Sequence, residues 1–395
     1  MNDVVVIGVG MHNCGKHTEK SLKDLAQVAI WNALEETLLH PSQIQAAFVG
    51  NAMAGLITGQ ECVRGQTVLT SAGFQGIPIV NVENACATGA TAFQQAWMNV
   101  YSGMYDVVLA VGVEKLYCGD TSKSLSALAT ASDIEIMGGL GVQFTALYAM
   151  NIKNYMEKHN VSIQDMARVV VKNSKNGSFN PYAQFKKPRT LQEVMSSRVI
   201  AEPVTLLMCS SIADGAAAAI LCNKKIANQF TKKHLIKVET SVLRSAMPYS
   251  RSKGGPSIVE MTAKEAYEKS GIEPGEIDVV ELHDAVAPGE VRIIEELGLC
   301  REGEGVDLLI AGETEISGQL PVNPSGGLVA RGHPVGATGI AQIAELVWQL
   351  RGEAGQRQVG GANGTGPKVG LAENAGGRIE SDSAACVVSI LSKVG

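Results

Sequence analysis

Short apolar runs that alternate with helical patterns constrain this 395-residue chain more than any other feature. Val4–Ile7, Ala47–Val49, Ile77–Val82 and Val107–Val111 predict short strands, the most apolar of them buried on both faces. Between them, Ser21–Leu38, Cys62–Ala72 and Ala87–Ser102 place apolar residues at helical spacing. Such alternation leads to parallel α/β layers. The pattern restarts near residue 236, with strand Ile236–Glu239, helix Met261–Ser270, strand Ile277–Val280 and helix Gly289–Leu297. No short tandem repeat accompanies the restart. Residues from about 117 to 206 differ: they combine helical stretches such as Phe144–Lys158 with a basic cluster, Lys172, Lys175, Lys186, Lys187 and Arg189.

Composition narrows the class. Hydrophobic residues make up 45% and charged residues 18%, as a large core requires. No apolar run approaches the ~18 residues of a membrane span. The N-terminus enters a strand pattern directly, without the basic segment and cleavage site of a signal peptide, so the cytoplasm is the expected compartment. Eight cysteines are scattered with no Cys-x-x-Cys spacing, which argues against a disulfide framework or a zinc site. A net charge of −6 argues against general nucleic-acid binding.

Three turns carry residues suited to chemistry. Asn323 to Gly339 holds five glycines, two prolines and one histidine within seventeen residues, and the helical run Ile340 to Leu350 follows it. His333 therefore sits on a Gly-Pro loop that opens a helix. Cys86, in Asn84-Ala85-Cys86-Ala87-Thr88-Gly89, lies between a predicted strand and a predicted helix. The positive end of that helix is expected to favour its thiolate, the form that attacks carbonyls. His283, in Glu281-Leu282-His283-Asp284-Ala285-Val286, is expected at the C-terminal end of a buried strand, where open α/β sheets place ligand sites.

Together these stretches resemble the thiolase superfamily, and within it the sterol-carrier-protein-type branch. Gly332-His333-Pro334-Val335-Gly336-Ala337-Thr338-Gly339 resembles the family's catalytic histidine loop, and Cys86 stands at the acylated cysteine. His283-Asp284-Ala285 resembles the branch's His-Asp-Cys-Phe motif. Asn180-Pro181-Tyr182-Ala183-Gln184-Phe185 resembles a loop-domain signature, and Ser211 to Ala218 the segment that returns the chain to its first half. The resemblance implies an α/β thiolase fold of two pseudo-symmetric α-β-α-β-α halves, 1–116 with 207–235 and 236–395, and an inserted loop domain, 117–206. There are two departures. The motif's cysteine is Ala285, and the C-terminal loop reads Glu373-Asn374-Ala375-Gly376-Gly377.

The resemblance implies cleavage of a 3-oxoacyl-CoA by coenzyme A, or the reverse condensation, with benzoylsuccinyl-CoA as one specific substrate. Cys86 would be acylated, His333 would activate it, and His283 would help hold the thioester oxygen. The Cys86 N–H and the Gly376–Gly377 loop would form a second oxyanion hole. The acid/base role of the missing cysteine stays open between a water held by His283 or Glu373, Cys118, and Cys386, which is expected to point into the core. Lys172, Lys186, Lys187 and Arg189 would attract the coenzyme's phosphates. Coenzyme A would be a co-substrate, with no permanently bound cofactor or metal. A homodimer or larger assembly is implied, as is a small zinc-ribbon/OB-fold partner protein. Two other readings stand beside this one. The first is a decarboxylating condensing enzyme, which also uses one cysteine and two histidines. The second is a scaffold subunit that needs its partner for activity.

Overall fold

A computed structural model describes residues 1–138, 141, 143–247, 252–360 and 365–394. Its centre is a nine-stranded sheet, ordered β3-β2-β4-β7-β1-β8-β11-β10-β9. The strands are β1 (Val4–Gly15), β2 (Ala46–Gly50), β3 (Ile79–Val82), β4 (Val107–Glu114), β7 (Asp214–Asn223), β8 (Ile236–Ser245), β9 (Val279–Glu281), β10 (Val369–Gly376) and β11 (Ala385–Lys393). A separate hairpin joins β5 (Val199–Ala201) and β6 (Val204–Thr205).

The sheet divides in the middle. β1 and β8 share only two register pairs, Val5 with Lys237 and Val6 with Ile236. On either side the order repeats, β2-β4-β7-β1 against β9-β10-β11-β8. The restart at residue 236 is therefore a structural repeat of the first half. β2 pairs parallel with β3 and β4, and β9 pairs parallel with β10. The expected parallel sheet is mixed, however, because β7 runs antiparallel to β1 and β4.

Helices fill the layers. α1 (Leu22–Glu35) begins at a Ser21–Asp24 capping box and buries Leu22, Leu25, Ala26, Ala29, Ile30 and Ala33 on the outer face of the first half-sheet. α2 (Thr88–Tyr101) and α6 (Thr338–Arg351) form the middle layer with Val4, Val6, Val9, Ala372 and Leu391. Every residue of α6 is buried, as a helix between the two half-sheets requires. α5 (Ile258–Ser270) covers the far face of the second half with Val280, Val388 and Ile390.

Segment 117–206 carries α3 (Phe144–His159), α4 (Ile163–Ser178) and the β5–β6 hairpin. It buries Ala149, Ile152, Met166 and Val169 against Val286, Val291, Val306 and Leu309 of the second half. The expected helix at 62–72 occupies Arg64–Ser71, and β1 runs eight residues beyond its expected end at Ile7.

Candidate active site

The chain leaves β3, turns through Asn84 and Ala85, and enters α2. Ala85 holds φ +48, a left-handed conformation uncommon for a residue with a Cβ. Cys86 follows in a single 3-10 turn, Ala85–Ala87. Thr88 Oγ1 closes the turn by accepting from the Asn84 N–H at 2.9 Å. The end of β10 presses against this turn. A Cβ at Gly376 would lie 2.3 Å from the Ala87 nitrogen and 2.8 Å from the Cys86 nitrogen, so only glycine permits the approach. The Gly377 and Cys86 backbone N–H groups both act on the Cys86 thiol.

His333 arrives from the other half. Buried carboxylates fasten its loop. Glu281 accepts from the Ser325 N–H at 2.9 Å and the Ser325 hydroxyl at 2.7 Å, and pairs with Arg331 at 3.1 Å. Asp284 accepts from the Leu328 N–H at 2.8 Å and Asn173 Nδ2 at 3.0 Å. Glu114 reaches across from β4 to the Gly336 N–H at 3.0 Å and also binds Asn51 Nδ2 and the Met53 N–H. The imidazole's Nδ1 lies 2.7 Å from Thr338 Oγ1, and that hydroxyl donates its own proton to the Pro334 carbonyl. Thr338 can then only accept, so Nδ1 carries the proton and Nε2 offers a lone pair.

That lone pair meets the Cys86 thiol. His333 Nε2 lies 3.3 Å from Cys86 Sγ and 3.5 Å from His283 Nε2. α2 and α6 cross where both begin, at Gly89 and Gly339. A Cβ at Gly339 would stand 2.2 Å from the Ala90 nitrogen, and one at Gly89 would stand 2.8 Å from the Gly336 carbonyl oxygen. The two glycines let the helix starts approach and carry Cys86 and His333 together.

Electrostatics bear on one expectation. Burial pushes the Cys86 thiol up to about 12, against the lowering effect of the Gly377 and Cys86 N–H groups. Cys86 is half-buried and opens into a pocket. Burial also lowers both histidines, His283 to about 4 and His333 well below its usual range, with Arg331 acting in the same direction. Both shifts favour a neutral thiol beside a neutral imidazole, against the thiolate expected from the helix terminus.

The pocket beside Cys86 holds a volume of ≈ 140 Å³ and is lined by His333, Gly377, Leu116, Leu125, Leu128, Phe144, Tyr148, Cys209, Ala285 and Val286, among others. Other predicted residues lie elsewhere. Glu373 accepts from the His283 N–H at 2.9 Å, Cys386 Sγ lies 3.9 Å from its carboxylate, and burial pushes its carboxyl up to about 7. Cys386 is buried, as expected. Cys118 Sγ faces the Asp120 carbonyl at 3.4 Å, and neither Cys118 nor Glu373 lines the pocket. Lys172 is not a surface cation: it is buried and paired with Glu290, where it bonds the Val322 carbonyl. Lys186 bonds the Pro181 carbonyl, Lys187 and Arg189 pair with Glu193, and none of the three lines the pocket.

Sequence reasoning missed Thr338, Tyr148 and Cys209. Thr338 stands five residues after His333 on the same loop, a local signal that was available. Tyr148 and Cys209 reach the pocket only through tertiary packing. The ligating atoms of Cys86, His283 and His333 lie within 4.8 Å of one another, close enough to hold a soft divalent cation as well as to transfer a proton.

Comparison with known proteins follows the same two halves. Residues 4–225 match the family model "Thiolase, N-terminal domain", and residues 250–392 match "Thiolase C-terminal domain-like". The chain is 41% identical to an acetyl-CoA acetyltransferase of Methanothermobacter thermautotrophicus, over 95% of this chain and 97% of that protein. It is 38% identical to the benzoylsuccinyl-CoA thiolase subunit BbsB of Thauera aromatica, over 90% of this chain and 91% of that protein. Among solved structures, the Ltp2-ChsH2(DUF35) aldolase superposes with a TM-score of 0.82 at 24% identity, covering 99% of this chain and 98% of that one, a likeness of fold.

Proposed function

The chain belongs to the thiolase family, and from that premise we propose that Cys86 carries the acyl group while coenzyme A cleaves a 3-oxoacyl thioester, or in the reverse condensation. The enzyme is an acyltransferase with coenzyme A as co-substrate. The observation that supports Cys86 in this role is its 3.3 Å contact with a His333 nitrogen whose tautomer Thr338 has set.

As Cys86 attacks the 3-oxo carbonyl, its proton passes to His333 Nε2. A neutral pair suits this timing, because charge appears only as the new bond forms. His333, now protonated, stands beside His283 Nε2, and both face the oxygen on which enolate charge develops. The Cys86 and Gly377 N–H groups, which act on the resting sulfur, are placed to receive the oxygen of the acyl-enzyme. Glu373 fixes the backbone of His283 and acts through that residue.

The apolar pocket supports a modest acyl group. A cavity of about 150 Å³ accommodates a benzene ring, so the ≈ 140 Å³ available suits the acyl end of acetoacetyl-CoA or the phenyl ring of an aromatic 3-oxoacyl-CoA such as benzoylsuccinyl-CoA. Segment 117–206 supplies Leu125, Leu128, Phe144 and Tyr148 to this pocket and serves as its cover. We place the enzyme in the cytoplasm as a homodimer or larger assembly, with a small zinc-ribbon/OB-fold partner protein. The relative BbsB, itself named as a subunit, supports a heteromeric complex. Lys186, Lys187 and Arg189, on the exposed side of the 117–206 segment, remain the proposed contacts for the coenzyme's phosphates. Ala285, which lines the pocket without a thiol, favours a decarboxylating condensing enzyme as the second reading.

The deciding experiment incubates the protein with coenzyme A and either acetoacetyl-CoA or benzoylsuccinyl-CoA, with mass spectrometry of Cys86. Two thioester products and an acylated Cys86 are expected. Release of CO₂ from a malonyl thioester without thiolytic cleavage would shift the reading to the condensing enzyme.

A further inference from the structure

Thiolysis needs a proton at two moments that the Cys86–His333 pair does not cover. His333 holds the proton taken from Cys86 until the acyl-enzyme breaks down. The enolate released when the bond between carbons 2 and 3 breaks must be protonated at carbon 2, and the incoming coenzyme A thiol must lose its proton. With Ala285 lining the pocket, position 285 supplies no group for either transfer.

The titratable side chains lining the pocket are Cys86, His333, Tyr148 and Cys209. The Cys209 thiol donates to the Thr205 carbonyl at 3.5 Å, within its own turn. His283, assigned above to the enolate oxygen, Cys118 and Glu373 lie outside the lining, and Cys386 is sealed behind Glu373. Tyr148 differs from all of these. It projects from α3 into the pocket, and among the described residues no hydrogen bond occupies its hydroxyl.

We propose that Tyr148 is the acid/base residue of this enzyme, a catalytic role carried by a phenol in place of the thiol absent at position 285. This deepens the thiolase reading and rests on it. In the first half-reaction the electron pair of the broken carbon–carbon bond settles on carbon 2, and the Tyr148 hydroxyl gives its proton there, leaving a phenolate. Acyl-CoA departs and coenzyme A enters. Its S–H proton passes to the phenolate, its sulfur attacks the Cys86 thioester, and Cys86 leaves as a thiolate that recovers its proton from His333. One proton enters with coenzyme A and one leaves in the product, so the cycle closes.

The surroundings suit both steps. Burial raises the phenol above its usual range, and nearby Cys86 raises it further, which makes its phenolate a strong base toward a thiol. Arg378 and Arg292 act in the opposite direction and stabilise that phenolate once formed.

The test follows exchange of the carbon-2 hydrogens of acetyl-CoA in deuterated water, read by NMR, a step that needs Cys86 acylated by a first acetyl-CoA, whose departing coenzyme A thiolate takes the Tyr148 proton and leaves the phenolate, together with the oxyanion donors. Tyr148→Phe should slow exchange by about 10²- to 10⁴-fold, while iodoacetamide still alkylates Cys86, which shows an intact site. Cys118→Ser, which lies outside the lining, should exchange at the wild-type rate, and Ala285→Cys placed in the Tyr148→Phe background should restore exchange. Wild-type exchange in Tyr148→Phe, or its loss in Cys118→Ser, would overturn the proposal. A wild-type protein that never acylates Cys86 would instead remove the thiolase reading.

Discussion

At the scale of single residues, the site depends on a tautomer. Thr338 accepts from His333 Nδ1 because its own proton is committed to Pro334. Thr338→Val keeps the shape and removes that acceptor. We expect kcat to fall by about 10- to 100-fold with KM little changed, in line with losses of partners that orient a catalytic imidazole; steady-state kinetics at saturating coenzyme A measure the split. Cys86→Ala should abolish acyl transfer and leave the melting temperature nearly unchanged, and substantial residual turnover would remove the nucleophile assignment. Cys86, His283 and His333 were legible in the sequence because each sits on a turn rich in glycine, proline or small residues. Tyr148 was not, since a tyrosine within Phe144–His159 looks like any other residue of an amphipathic helix. Lys172 misled for a related reason: sequence shows a basic residue and hides the Glu290 that buries with it.

At the scale of elements, two helix starts must nearly touch. Gly339→Ala would place a methyl group 2.2 Å from the Ala90 nitrogen. Separating α2 from α6 should cost about 1–3 kcal/mol of stability and lengthen the Cys86–His333 contact, so kcat should fall along with the melting temperature. A variant that melts lower but turns over normally would show that the crossing does not set the catalytic distance. Strands and helices of ordinary composition were readable from periodicity. β7 was not, because Asp214-Gly215-Ala216-Ala217-Ala218-Ala219 has the composition of a helix. It is a strand because it lies between β1 and β4 with all ten residues buried, where only small side chains fit between the layers. The long β1 was underestimated because its glycines interrupt the apolar run; a Cβ at Gly8 or Gly10 would strike the Ala33 or Ala29 carbonyl of α1.

At the scale of the whole molecule, the repeat at residue 236 could be read only weakly from sequence, since two halves can share a strand order without sharing side chains. The layers also enclose carboxyls. Burial pushes Glu114, Glu281 and Glu373 each up to about 7. For Glu373 the folded value lies above the 4.5 of an unperturbed glutamate, so the folded state holds this proton more tightly than the unfolded chain does. This group's contribution is therefore fully favourable below pH 4.5, is lost as pH rises toward 7, and stays lost above it, by at most about 3 kcal/mol. Glu373→Gln still accepts from the His283 N–H but does not titrate. The melting temperature of the variant relative to wild type should rise between pH 5 and pH 7.5; a constant offset across that range would show that Glu373 does not titrate there. The largest consequence concerns order in time. The Cys86 thiol and the His333 nitrogen beside it stand 247 residues apart in the chain, so a ribosome completes Cys86 long before His333 exists. In that interval Cys86 is an ordinary thiol with a pKa near ~8.5, more ionised and more open to oxidants than it will be later. Folding raises that pKa by burial, to about 12, and in the same event brings the His333 imidazole to 3.3 Å from its sulfur. Maturation of this protein is thus the moment at which an indiscriminate thiol becomes a selective one.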